Sequence, residues 1–145
     1  MKRLAIALVA ILMLIPAAVF AEGEGKHVAF HVDENDPKLM NLTLNNVRNV
    51  TAYYEAQGIP VYIEVVAYGP GLNMLIDGKS PVADRISVMG LEMENVTFAA
   101  CANTMNNMKK KTGKDVMLLD EATIVPSGVV RLIELQEQGW AYIRP

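Results

Sequence analysis

Short apolar runs alternate along the chain with segments whose apolar residues recur at helical spacing. Three of the runs are short and mostly apolar, and the second of them is rich in β-branched residues, which predicts strands. They are KHVAFHV (26–32), IPVYIEVVAY (59–68) and NVTFAACA (95–102). Residues 115–125 contain a fourth strand-like run, and residues 140–145 form a fifth. The second run is apolar almost throughout, which is typical of a parallel strand with both faces buried.

Helices are predicted between these strands, because capping residues and helix breakers bound the periodic segments. Asp36 followed by a proline predicts a helix N-terminus, and Gly58 closes that helix. Ser80, again followed by a proline, predicts the start of the next helix, and further helices are expected over 103–111 and 127–138. Strands and helices that alternate in this way form βαβ units. We therefore expect an α/β fold, a three-layer α/β/α sandwich around a central, mostly parallel sheet of about five strands.

The first residues have the layout of a secretory signal peptide. A lysine and an arginine precede an almost entirely apolar run over residues 4–15, and small residues follow up to Ala21. This run is shorter than the roughly 20 residues that a membrane-spanning helix needs. We predict a leader over residues 1–21 that is cleaved, export to the periplasm, no stable membrane span after cleavage, and one mature domain over residues 22–145. A retained amino-terminal anchor is the alternative.

Removal of the leader makes the chain more acidic. The leader contains two basic residues and no acid, so the formal net charge changes from −3 to −5. Such a chain lacks the basic surface with which proteins bind phosphate backbones. Nucleic acid is therefore not an expected partner.

The predicted sheet indicates where a ligand site lies. Ligands of parallel sheets bind just beyond the carboxyl ends of the strands. Applied to the first four strands, this rule selects His31, Asp33, Asn35, Asp36, Tyr68, Gly69, Pro70, Gly71, Cys101, Asn103, Thr104, Pro126, Ser127 and Gly128.

Cys101 is the only cysteine of the chain, and it lies at a predicted junction between a strand and a helix. The unpaired N–H groups and the positive dipole end of a helix N-terminus favour an anion. A thiolate in that position has a lowered pKa and is more available as a nucleophile. The alternative is a structural cysteine that packs as a small apolar side chain. A lone thiol forms no internal disulfide, so the residues alone leave both interpretations open.

Three blocks of sequence, in this order, resemble the DsrE/DsrF-like family and its exported single-domain members: VVAYGPGLNMLIDGKSPVADRI, FAACANTM and VPSGVVRLIELQEQGWAYIRP. The similarity covers roughly residues 26–145. It implies a small α/β/α domain that assembles as homotrimers or homohexamers, and a role in passing sulfur as a cysteine persulfide. The family's thiol corresponds to Cys101. The other site positions that the resemblance implies are Asn103, Thr104, Gly69, Pro70, Pro126, Ser127 and Gly128.

The function implied by this resemblance is sulfur relay. The Cys101 thiolate takes sulfur from a donor and passes it to an acceptor, and helix N–H groups near Asn103 and Thr104 stabilise the anion. The expected partners are donor and acceptor thiol proteins or small polysulfides. The mechanism requires no metal and no cofactor, and we expect none. Two alternatives stay open: a non-catalytic oligomeric binding module with a structural cysteine, and soft-metal (copper) binding through Cys101, Met105 and Met108.

Three further features have structural as well as functional interpretations. His31, at the edge of the predicted site, either assists proton transfer to sulfur or is a structural residue. Glu64, in the middle of the second predicted strand, is a buried functional carboxylate, the partner of a cation or part of a subunit interface. The GPG run at 69–71 predicts a tight turn, because the other glycines and the lysine of a phosphate-binding loop are missing.

Overall fold

The computed structural model describes residues 25–145, and the predicted leader over residues 1–21 lies outside these described residues. The strands are β1 (Lys26–Val32), β2 (Val61–Ala67), β3 (Val96–Cys101), β4 (Ala122–Val125) and β5 (Ala141–Ile143). The α-helices are α1 (Pro37–Glu55), α2 (Ala83–Glu92), α3 (Ala102–Thr112) and α4 (Gly128–Glu137), and a 3₁₀ helix (Gly69–Leu75) lies between β2 and α2. Among these residues, no helix has the length and apolar character that crossing a membrane requires.

The five strands run parallel in one sheet, in the order β4-β3-β2-β1-β5. The first three connections each move the chain one strand over in the same direction, and right-handed crossovers place their helices on one face. The last connection returns across the sheet from β4 to β5, so α4 lies on the opposite face. The predicted three-layer α/β/α sandwich is therefore confirmed, and its sheet is parallel throughout.

The two faces of the sheet are unequally covered. One face packs against α1, α2, α3 and the 3₁₀ helix in the larger apolar cluster, which contains Phe30 and Phe98. On the other face, Leu132 and Leu135 of α4 pack on small side chains such as Ala99. We call this second side the α4 face. Within residues 25–145, a single helix of ten residues covers it.

Side chains alternate between the two faces along each strand, and this decides where the site residues lie. Ala99 packs beneath α4, so Cys101, two residues later in β3, also lies on the α4 face. In the neighbouring β2, Val66 packs beneath α4, and Tyr68 packs against the same cluster. Cys101 and Tyr68 are therefore neighbours on one face of adjacent strands.

The ends of α1 follow the predictions from sequence. The Asp36 side chain accepts a hydrogen bond from the N–H of Lys38 at 2.8 Å, and Pro37 is the first helical residue. The helix ends at Glu55, and Gly58 adopts a left-handed φ of +67° just beyond it. Both predicted ends are confirmed to within one helical turn.

The predicted start of α2 at Ser80 is wrong. The helix begins at Ala83, and Ser80 lies in the preceding turn, where its hydroxyl donates to the Met74 carbonyl and accepts a backbone N–H two residues later. The serine and the proline after it therefore fold the chain against the 3₁₀ helix instead of capping α2. Residues 69–71, predicted as a tight turn, begin that 3₁₀ helix.

Glu64 is the partner of a cation. Arg131 of α4 donates two hydrogen bonds to its carboxylate oxygens, both at 2.7 Å. The glutamate is 6% exposed, so the arginine replaces most of the water that would otherwise solvate the charge. Because Arg131 lies in the first turn of α4, this ion pair fixes the position of the helix N-terminus over the sheet.

Candidate functional site

Cys101 is the last residue of β3 and the N-cap of α3. Its backbone is extended (φ −73°, ψ 111°), and its Sγ accepts the N–H of Thr104 at 3.4 Å. A cysteine thus occupies the position that Ser, Thr, Asp or Asn usually takes at a helix N-terminus. A thiolate accepts this hydrogen bond better than a thiol does, so the local structure favours the ionised form.

The thiol also lies where the connections of the sheet change face. β3 leads into α3 on one face, whereas the adjacent β4 leads into α4 on the other. A switch of this kind opens a crevice beyond the carboxyl ends of the two strands, and ligands bind there in open parallel sheets. Cys101 pairs with Val125 across the junction. Both helices therefore begin beside the sulfur.

Hydrogen bonds lower the pKa of the Cys101 thiol. Burial raises this pKa, but the donors around the sulfur outweigh burial and hold the pKa below its ordinary value. The donors are the side chain of Thr104 and the backbone N–H groups of Gly128, Thr104 and Asn103. The N–H of Asn103 also donates to the Pro126 carbonyl at 3.3 Å. The N-termini of α3 and α4 thus stabilise the same thiolate.

The environment of the sulfur is buried and polar. Cys101 is 3% exposed, yet it is a member of neither apolar cluster. Its sulfur is surrounded by the N–H and O–H donors of the two helix N-termini. Such burial admits a small reactant more readily than the thiol of a folded partner protein.

Thr104 connects the thiol to the loop after β2. Its hydroxyl accepts the N–H of Gly69 at 2.9 Å, and the same side chain helps to lower the pKa of the Cys101 thiol. Gly69 has a left-handed φ of +54°, a conformation that glycine adopts without strain. Thr104 and Gly69 also line a cavity of about 310 Å³ together with Pro70 and Lys111. Thr104 therefore borders both this cavity and the thiol.

Tyr68 packs directly against the first residue of α4. A Cβ on Gly128 would lie 2.7 Å from Cδ1 of Tyr68, so the ring occupies the space that any side chain there would need. The absence of a side chain lets Tyr68 lie against the first residue of α4, whose N–H helps to lower the pKa of the Cys101 thiol. The packing of Tyr68 thus explains why a glycine occupies position 128.

His31 stacks on the other side of Tyr68, with ring centroids 4.7 Å apart. Its Nδ1 forms a hydrogen bond with the hydroxyl of Tyr142 at 2.7 Å. Among residues 25–145 its Nε2 has no hydrogen-bond partner, and it lies 3.8 Å from Oδ2 of Asp33. Burial lowers the pKa of His31; the Asp33 carboxylate opposes this shift and Arg144 reinforces it. The imidazole is therefore neutral at pH 7.

Sequence reasoning missed two residues of this cluster, Tyr142 and Arg144. Arg144 donates hydrogen bonds of 3.0 to 3.2 Å to both carboxylate oxygens of Asp33. Pairing of β5 with β1 brings these residues to His31 and Asp33, 111 residues away in sequence. No local signal predicts this contact, because it depends on β5 pairing with β1 rather than with β4.

Most of the predicted site residues form one connected group. Hydrogen bonds and close side-chain contacts join Cys101, Asn103, Thr104, Gly128, Tyr68, His31, Asp33 and the backbone of Pro126. Gly69 and Pro70 line the cavity beyond Thr104. Ser127 is the N-cap of α4, but its side chain makes no capping hydrogen bond. Their roles in function stay predictions.

The soft-metal interpretation has little geometric support. Met105 and Met108 pack against the larger apolar cluster, on the face of the sheet opposite to Cys101. Within residues 25–145, no three His, Cys, Asp or Glu side chains come together in a way that could hold a metal ion. Core packing accounts for both methionines.

The fold and the site together define a small α/β/α domain with its one thiol at the switch point of a parallel sheet. No family model and no curated protein matches the chain. The chain is similar to the solved structure of MTH1491, a protein of unknown function from Methanobacterium thermoautotrophicum, with a TM-score of 0.70 and 39% sequence identity. The match covers 83% of this chain and 99% of that one. This chain therefore belongs to the same family as the archaeal protein.

Proposed function

We propose that this protein carries sulfur as a persulfide on Cys101. The observation that supports this most directly is the convergence of two helix N-termini on a thiol with a lowered pKa. The only cysteine of the chain also lies in the crevice where this class of fold binds ligands. The resemblance to the DsrE/DsrF-like family supports the proposal separately, since that family's thiol corresponds to the same residue.

The proposed step is a transfer of one sulfur atom to the thiolate. The Cys101 thiolate attacks one sulfur of the hydrogen disulfide anion, HS–S⁻; a new S–S bond forms, the S–S bond of the donor breaks, and HS⁻ leaves with the donor's proton, which gives the persulfide anion Cys101–S–S⁻. This anion takes a proton from water. An acceptor thiolate then attacks the outer sulfur of Cys101–S–SH, becomes the acceptor's persulfide and releases the Cys101 thiolate. Each step moves one neutral sulfur atom, so no oxidant, metal or cofactor is consumed.

The same groups that stabilise the thiolate serve the transferred sulfur. The N–H of Thr104 donates to the sulfur at 3.4 Å before the transfer and remains available to the persulfide anion afterwards. The 3% exposure of Cys101 favours a small dissolved donor over a protein donor. We therefore place polysulfide ions first among the expected partners.

Mass spectrometry of the intact protein after treatment with sodium polysulfide tests this proposal. The folded wild-type protein should gain the mass of one or more sulfur atoms, and dithiothreitol should remove it. Cys101→Ser should gain none. If the thiol takes up sulfur only after denaturation, Cys101 is structural and the carrier proposal fails.

One observation favours a second candidate function. At 3% exposure, Cys101 is as buried as structural cysteines usually are. The protein would then be a non-catalytic binding module, and the thiol would contribute packing alone. The polysulfide experiment separates the two candidates, because a structural cysteine gains no sulfur in the folded protein.

We also propose that the chain assembles as a homotrimer or a homohexamer, as the family resemblance implies. Val129, Val130 and Ile133 of α4 are 52%, 47% and 50% exposed, which is unusual for three apolar residues on adjacent turns. Light scattering should report the oligomer, and Ile133→Glu should shift it towards the monomer. A wild-type protein that is monomeric at micromolar concentration would contradict this.

Export to the periplasm is likewise proposed from the pattern of residues 1–21. Amino-terminal sequencing of protein recovered from a periplasmic fraction should begin at Glu22. Recovery of the intact chain from the cytoplasm would contradict the proposal.

A further inference from the structure

A second concave region lies at the opposite end of the sheet, where α1 and α2 end beside the start of β2. We call it the amino-edge groove, and its volume is about 710 Å³. That volume is in the range of small-molecule sites. Its lining includes Arg48, Thr51, Glu55, Leu91, Glu92 and Glu94. The proposed sulfur chemistry uses none of these residues.

The groove lies at the negative ends of two helices. α1 ends at Glu55 and α2 at Glu92, and neither helix has a basic residue in its last turn. The partial negative charge of a helix C-terminus favours cations. In α3, by contrast, the three lysines 109–111 occupy the last turn. The two glutamates at these converging helix C-termini thus add negative charge where the helix dipoles favour a cation.

The arginine that lines the groove compensates only part of this negative charge. Arg48 pairs with Glu92 at 3.2 Å. Among residues 25–145, Glu55 and Glu94 form no ion pair. The field of the groove therefore favours a further positive charge.

A buried hydroxyl also lines the groove. Thr51 of α1 is 5% exposed, and its hydroxyl has no hydrogen-bond partner among residues 25–145. Thr43, two turns earlier in the same helix and fully buried, donates its hydroxyl to the Leu39 carbonyl at 2.9 Å. An unpaired buried hydroxyl is unfavourable. The wall of the groove therefore holds an unpaired polar group just beneath its surface, at the site of excess negative charge.

Apart from Asn95, the remaining lining of the groove is largely apolar. Leu91 is 84% exposed and Tyr62 is 46% exposed, and both line the groove. A bare metal ion does not fit this setting, because no three carboxylates converge on one point within residues 25–145. An organic cation with a hydrocarbon part satisfies both the charge and the apolar walls.

We propose that the amino-edge groove binds aliphatic ammonium compounds. The ammonium group lies between Glu55 and Glu94 and donates a hydrogen bond to the hydroxyl of Thr51. The hydrocarbon part lies along Leu91 and Tyr62. This site is separate from Cys101, so Cys101→Ser should bind an amine as the wild-type protein does.

The first experiment compares hexylammonium chloride with 1-hexanol by titration calorimetry. Hexylammonium should bind saturably, and the neutral alcohol should bind at least about tenfold more weakly, because it lacks the charge that the glutamates attract. Glu55→Gln should weaken hexylammonium binding by about threefold to tenfold. The matched control is Glu137→Gln, which changes the glutamate that ends α4 outside the groove. Equal binding of the alcohol, or equal effects of the two variants, would overturn the proposal.

The second experiment uses the two buried threonines of α1. Thr51→Val removes a hydroxyl without a partner, so it should raise the melting temperature of the free protein by about 2 °C and weaken hexylammonium binding about fivefold. Thr43→Val removes a paired hydroxyl, so it should lower the melting temperature and leave the affinity unchanged. A lowered melting temperature or an unchanged affinity in Thr51→Val would contradict the proposal.

Discussion

The two edges of the sheet differ in electrostatic character because the helices run antiparallel to the strands. Helix N-termini gather at the carboxyl edge, where α3 and α4 begin beside Cys101. Helix C-termini gather at the amino edge, where α1 and α2 end beside Thr51. The same parallel architecture thus creates one site suited to a thiolate and another suited to a cation.

The residues at these two edges relate to the helix dipoles in opposite ways. At the carboxyl edge it follows the helix dipoles, since an ionisable thiol occupies a helix N-cap. At the amino edge it opposes them, since Glu55 and Glu92 end their helices and Thr51 is buried without a partner. A glutamate at a helix C-terminus costs about 0.3–1 kcal/mol. Local rules broken together at one place are typical of binding sites.

The largest expected effect tests what positions α4 over the carboxyl edge. Arg131→Ala leaves the buried carboxylate of Glu64 without its partner, so it should destabilise the protein by about 3–5 kcal/mol in urea denaturation. The matched control is Lys109→Ala, which breaks a pair whose side chains are 57% and 74% exposed and should cost less than about 1 kcal/mol. Equal losses in the two variants would show that the Arg131–Glu64 pair contributes no more to stability than an exposed ion pair does.

The next effect concerns the contact between Gly128 and Tyr68. Gly128→Ala places a methyl group 2.7 Å from the tyrosine ring, and the forced shift should cost about 1–3 kcal/mol. It should also raise the thiol pKa, since the N–H of Gly128 moves relative to the sulfur. Tyr68→Gly in the same protein removes both the ring and the Cβ that lies 2.9 Å from the new methyl group, so it should relieve the clash, as a double-mutant cycle would show. Purely additive losses would mean that the two residues do not interact.

A smaller effect is expected when one donor to the sulfur is removed. Thr104→Val eliminates the hydroxyl that accepts from Gly69 and helps to lower the thiol pKa of Cys101, so stability should fall by about 1 kcal/mol. The thiol pKa should rise, and sulfur uptake at neutral pH should slow. Thr112→Val serves as the control, because it removes an exposed hydroxyl of the same helix that bonds only to backbone groups. Thiol reactivity in the control should equal that of the wild type.

The smallest expected effect is a pH dependence of stability. The folded state lowers the pKa of Cys101 through hydrogen bonds that outweigh burial. The ionised thiol therefore stabilises the fold above its unfolded pKa of about 8.5, and this contribution is lost as the pH falls through the lower folded value. The stability of wild type relative to Cys101→Ser should thus increase with pH. A difference that stays constant or decreases with pH would contradict the lowered pKa.

Sequence patterns predicted the fold well because its determinants are local. The strand runs, the cap at Asp36 and the glycine after α1 act over a few residues each. The predicted start of α2 at Ser80 was wrong because a serine hydroxyl forms hydrogen bonds to nearby backbone groups both at a helix N-terminus and in a turn. In the structure, the Ser80 hydroxyl donates to the Met74 carbonyl in the turn before α2.

The site was predictable only in part. The rule that ligands bind at the carboxyl ends of parallel strands selected Cys101 and Thr104 without any knowledge of strand order. The contacts of Tyr142 and Arg144 require that order, since they arise from pairing of the last strand with the first. The unpaired hydroxyl of Thr51 could not be predicted from the sequence either, because no sequence pattern distinguishes a paired from an unpaired threonine on the apolar face of a helix.

The pH dependence of Cys101 alkylation tests the central claim most directly. Burial slows iodoacetamide at every pH, so the midpoint of the rate profile, rather than the rate itself, reports ionisation of the thiol. We predict a midpoint below the value of about 8.5 for an ordinary cysteine, and a higher midpoint in Thr104→Val. A wild-type midpoint at or above the ordinary value would show that the two helix N-termini do not activate this thiol.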